Sequence, residues 1–104
     1  MNDIAKQSMN EIKKRIGAID LTIDRSTGAM KRADQRQRDI LLATLGSIEG
    51  EFITSAEIRR GAQTIYDMRN YAGGAKVERV SPAKVKYGYY VDAAVIIASG
   101  KGLA

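Results

Sequence analysis

The chain has no cysteine, no histidine and no tryptophan, and a single proline among its 104 residues. Without cysteine there are no disulfides and no thiol nucleophile. Without cysteine and histidine together, zinc sites and the commonest general base are excluded. Paired carboxylates or a lysine nucleophile remain formally open, but no spacing supports either, so the expectation is a protein that is not an enzyme and has no catalytic or metal-ligating residues. Neither Gly-x-x-x-x-Gly-Lys-Ser/Thr nor a dinucleotide fingerprint occurs, and no cofactor is expected. No apolar run approaches the roughly 20 residues that cross a bilayer. The N-terminal MNDIAKQSMNEIKK lacks the apolar core of a secretory signal, so a cytoplasmic protein without membrane association is expected.

What is present is an ordinary globular composition: 44% hydrophobic and 28% charged residues, enough for one domain with a modest core. The net charge of +5 and a pI near 9.6 favour a polyanionic partner. Divided at residues 24, 50 and 75, the chain carries four lysines or arginines against four acids, five against three, three against three and five against two. The excess therefore sits early in the second segment and in the last one.

From Asn2 or Asp3, either of which can cap a helix, apolar residues recur at Ala5, Met9, Ile12, Ile16, Ile19 and Ile23. Intervals of four and three put all six on one face of an amphipathic helix. The stripe has two readings, a face packed on the domain's own core or a coiled-coil seam to a second copy. In the second reading Met9, Ile12, Ile16, Ile19 and Ile23 are the dimerisation residues. A turn is expected at Ser26 to Gly28, with one long helix through Gly28 as the alternative.

Lys31, Arg32, Arg36 and Arg38 follow within eight residues, a solvated helix face or a strip along a phosphate backbone. Ile40, Leu41, Leu42, Leu45 and Ile48 then predict a buried second half. After the brief apolar pair Phe52-Ile53, Thr54-Ser55-Ala56-Glu57 has the form of a capping box. Ile58, Ala62, Ile65, Met68 and Ala72 continue at helical spacing to Gly73-Gly74, with Arg60, Gln63, Thr64, Asp67 and Asn70 on the opposite face. Ala75 to Val80 and Val85 to Val91 read as strands joined around Pro82. In the second, Tyr87 and Tyr89 share the apolar parity and Tyr90 the basic one. Ser99 to Gly102 read as a frayed tail.

The order of an apolar helix over Asp39 to Ile48, the Phe52-Ile53 pair, Thr-Ser-Ala-Glu-Ile, Thr-Ile-Tyr and a Val-Glu-Arg-Val hairpin ending in Tyr-Gly-Tyr-Tyr-Val resembles a winged helix-turn-helix over roughly residues 36–91. With the N-terminal amphipathic helix read from its spacing, the resemblance implies an α+β, mainly helical fold in which two further helices and a C-terminal β-hairpin follow that helix. Residues 1–25 would be a dimerisation helix, 29–98 the winged-helix-like domain and 99–104 a flexible tail. It also implies that Gln63, Thr64 and Asn70 meet base edges while Arg59, Arg60, Lys76, Arg79, Lys84 and Lys86 hold phosphates. Residues 55–72 either turn at Gly61 or form one helix. The expected function is a small, dimeric or higher-order DNA-binding regulator of transcription, of phage, plasmid or bacterial type, with double-stranded DNA as partner. The alternative is an oligomeric protein-interaction module, a phage structural or adaptor protein or an inhibitor of a host protein, that binds no nucleic acid.

Overall fold

The computed structural model describes residues 3–70 and 87–104. They form four helices: α1 (Asp3–Ile23), α2 (Gly28–Glu49), α3 (Ser55–Asn70) and α4 (Tyr87–Gly100). No strand occurs among the described residues, and none of the described helices is long and apolar enough to cross a membrane. Helix α4 packs against each of the other three and is the centre of the domain.

The expected α+β class with its C-terminal hairpin is therefore overturned. Tyr87 to Val91, read as part of the second strand, open α4 instead. Ala75 to Val80 and the turn around Pro82 lie outside the described residues. The physical reason lies in the surroundings of α4. A helix packed against three others needs little polar face, and here even the exposed position of Ile96 is apolar, so the near-continuous apolar run cannot be told from a strand by spacing. The strand preference of tyrosine and valine then yields to packing. Tyr90, assigned to a basic strand face, is 5% exposed and sits in the core beside Val91, Ala94 and Ala98. Half-buried Tyr89 meets Tyr66 edge-on, with ring centroids 5.9 Å apart.

The stripe on α1 goes into this chain's own core. Ala5, Met9, Ile12 and Ile16 are buried, and Ile19 packs against the same cluster. Ile12 joins Leu41, Ile48, Ile53, Ile58 and Val91 as the largest apolar side chains sealed from water. Burial of each stabilises the fold by roughly 1.5–3 kcal/mol. The first helix is held at its start by α3, since the Ala5 amide donates to Ser55 Oγ at 3.1 Å.

The chain turns between α1 and α2 where Ser26 to Gly28 predict it. Ser26 Oγ donates to Asp34 Oδ2 at 2.8 Å, Gly28 opens α2 with φ +59°, and Arg38 Nε reaches Asp20 Oδ1 at 2.6 Å. At the other end of α2, the Glu51 and Phe52 amides donate to the Ile48 and Ser47 carbonyls, the double bond of a Schellman cap. The left-handed position falls on Glu51, φ 61°, one residue past the glycine. Phe52 and Ile53, the brief apolar pair of the sequence, are thus the bend that closes α2, and the Ile53 amide also donates to the Ser47 carbonyl. Glu51→Gly is expected to raise stability by about 1 kcal/mol, because glycine adopts this conformation without a Cβ penalty. A urea midpoint no higher than the parent's would contradict this cap.

Helix α3 opens on the predicted capping box: the Glu57 amide donates to Thr54 Oγ1 at 3.2 Å and the Thr54 amide to Glu57 Oε1 at 3.1 Å. Lys101, just past α4, bonds Glu57 Oε2 at 2.7 Å and the Phe52 carbonyl at 2.9 Å. The Lys101 ammonium, with the Thr54 amide next, holds the Glu57 carboxyl below its ordinary value. A lowered folded-state value means stability present above the unfolded-state pKa and lost as pH falls through the folded one. Melting curves of Glu57→Gln are therefore expected to lie below the parent's at neutral pH and to converge on them in acid below the usual carboxylate range. A gap independent of pH would show that Glu57 charge contributes nothing.

Past its cap, α3 runs uninterrupted through Gly61 to Asn70, so of the two readings of this stretch the structure takes the single helix. Gly61 marks the close approach of α3 to α4: a Cβ there would lie 3.0 Å from Ala93 Cβ and 3.6 Å from Ile97 Cδ1. Residues 99–104 continue the fold. Ser99 and Gly100 are helical, Gly102 takes φ 72° in a second Schellman cap, and Leu103 packs against the core.

Candidate nucleic-acid interface

A helix that supplies a core on one side leaves the other to water, and the charge on that side is either neutralised within the chain or available to a partner. In α2 the two cases separate by position. Arg38 is taken by Asp20, and Asp34 accepts from the Ser26 hydroxyl, so these side chains tie α2 to α1. Lys31, Arg32 and Arg36 are exposed and make no ion pair among the described residues. Exposed Gln35 lies beside them, and exposed Asp39 follows one turn further along the same face. The first turn of α2 contains no acid, and the Thr27 side chain makes no capping hydrogen bond.

On α3, Arg60 and Thr64 are exposed, as the sequence predicts for the face opposite Ile58 and Ala62, and Arg59 is exposed as well. The groups assigned to base reading are engaged locally. Gln63 Nε2 donates to Asp67 Oδ1 at 2.9 Å, and Thr64 Oγ1 to the Arg60 carbonyl at 3.0 Å. Asn70 ends the helix, and its side chain lies outside the described residues, as do Lys76, Arg79, Lys84 and Lys86. The structure thus brings Arg59, Arg60, Gln63 and Thr64 onto one helix. The five residues of the seam reading, Met9, Ile12, Ile16, Ile19 and Ile23, are buried or half-buried on α1, so a seam built from them would have to open the core.

A second feature has no counterpart in the sequence reading. Arg15, Gln37, Ile65, Met68, Asp92, Val95 and Ile96, drawn from all four helices, line an open groove of about 450 Å³. Met68 is 74% and Ile96 61% exposed there, while Arg15 and Asp92 pair across one end at 3.4 Å. Of these residues the sequence marks only Ile65 and Met68, whose helical spacing reads as core. No group of three or more acids that could hold a metal ion occurs among the described residues. Comparison of the chain with known families, curated proteins and solved structures finds no match.

Proposed function

We propose that this chain is a small DNA-binding protein that acts by occupying duplex DNA, in the manner of a non-catalytic regulator of transcription. The observation that carries this reading is the surplus of exposed cations with no acidic partner among the described residues, Lys31, Arg32 and Arg36 on α2 and Arg59 and Arg60 on α3, in a chain of net charge +5. Such cations exchange condensed counterions for phosphate contacts, which makes affinity fall steeply with salt. Gln63 and Thr64 spend their hydrogen bonds within α3, so phosphate contact outweighs base reading in this proposal.

The test is fluorescence anisotropy of a labelled random-sequence duplex against the full chain across a salt series. With three or more phosphate contacts, affinity is expected to fall roughly 40-fold or more between about 50 and 200 mM salt. A flat response, or no binding at low salt, would exclude the proposal.

The exposed groove favours a second reading, a self-assembling protein-interaction module whose groove receives another copy of the chain. It predicts no DNA binding and a stable oligomer that Met68→Asp with Ile96→Asp dissociates. A monomer at high concentration excludes it.

A further inference from the structure

We propose, on the basis of the DNA-binding reading above, that the outward ridge of the first half of α2, formed by Lys31, Arg32 and Arg36 with Gln35 between them, is the surface that grips the phosphate backbone of duplex DNA. The ridge is built against its own local electrostatics. Arg32 and Arg36 are like charges one turn apart, a spacing that opposes helix formation. Lys31 stands in the first turn, where the helix dipole disfavours a cation, and that turn holds no acid to offset it. The ion-paired cations among the described residues act structurally: Arg38 on Asp20, Arg15 on Asp92, and Lys101 on Glu57.

Among the described residues the charge of Lys31, Arg32 and Arg36 has no structural use of this kind, and an external polyanion is the partner that would neutralise it. Arg32 and Arg36 are separated by about 6 Å of helix rise. A duplex strand carries one phosphate per roughly 3.4 Å of its axis, so side chains at that separation can meet different phosphates of one strand. The ridge offers cations and one amide, ends at the exposed carboxylate of Asp39 one turn past Gln35, and presents no aromatic side chain for unpaired bases. Tyr90, the tyrosine placed by the sequence among lysines, is in the core. Backbone contact to a paired duplex is therefore favoured over stacking on single strands.

The experiment compares the full-length parent with Lys31→Ala/Arg32→Ala/Arg36→Ala and with Arg59→Ala/Arg60→Ala, using a random-sequence duplex and a single-stranded RNA of equal length. All five side chains are exposed, and thermal melts report whether each variant keeps its fold. The expected result is that the triple variant melts like the parent but flattens the logarithmic salt slope for duplex by about 2.7, while the α3 double variant retains most of that slope. A triple variant with parental affinity and slope overturns the ridge and leaves the DNA-binding reading intact. A parent that does not bind duplex, or binds only the RNA, overturns both.

Discussion

Gly61→Leu is expected to lower stability by about 3 kcal/mol or more, read as a fall in the urea midpoint. Overpacking a core usually costs about 1–3 kcal/mol, and this site is less able to relax than most. Its Cβ alone would lie 3.0 Å from Ala93 Cβ, and Ala93 belongs to the central helix. Moving α3 outward to admit a leucine would pull Ile58 and Ala62 from the core and separate Tyr66 from Tyr89. Gly61→Ala is the informative control. It gains up to about 1 kcal/mol of helix propensity against a contact that a shift of a few tenths of an ångström relieves, so a change near zero is expected. A tolerated leucine would mean that the two helices do not meet at this glycine.

Ile12→Asp is expected to unfold the chain. Ile12 is 0% exposed, and a carboxylate in its place is buried among Leu41, Ile58 and Val91 without a partner. Such burial costs more than the largest ordinary substitutions, against a total stability of about 5–15 kcal/mol for a domain of this kind. The result separates the two readings of the α1 stripe. A core stripe predicts loss of the far-ultraviolet helical signal at every protein concentration, whereas a seam between copies predicts a folded monomer. Retained helix with a shift to monomer would return Ile12 to the seam.

What the sequence made legible was local. The α1 stripe, the turn at Ser26 to Gly28 and the Thr54 and Glu57 cap each depend on residues within a few positions of one another, and each is found. The central helix was not legible, because its surroundings come from three distant segments and erase the period that would identify it. Val85, Tyr87, Tyr89 and Val91 alternate like a strand, yet from Tyr87 onward the chain is helical. Gly61 shows the same limit. A glycine at this spacing suits either a corner between two short helices or a close helix crossing, and only Ala93, thirty-two residues away, decides for the crossing.

The candidate site was partly visible. Lys31, Arg32 and Arg36 stand out as a basic run, but which of the nearby cations remain unneutralised depends on Asp20 and Asp34, whose partners only the packing of α1 and its turn against α2 reveals. The groove beneath Met68 and Ile96 gathers residues from all four helices and left no single stretch to notice.

The central claim is that the outward face of α2 contacts DNA while the domain stays folded as described. Backbone amide shifts of the labelled full-length chain, followed as random-sequence duplex is added at low salt, test it most directly. The account predicts the largest changes from Lys31 to Arg36, smaller ones at Arg59 and Arg60, and none at the buried α1 positions Ile12 and Ile16. An unperturbed spectrum, or changes confined to Ile65, Met68 and Ile96, would contradict it.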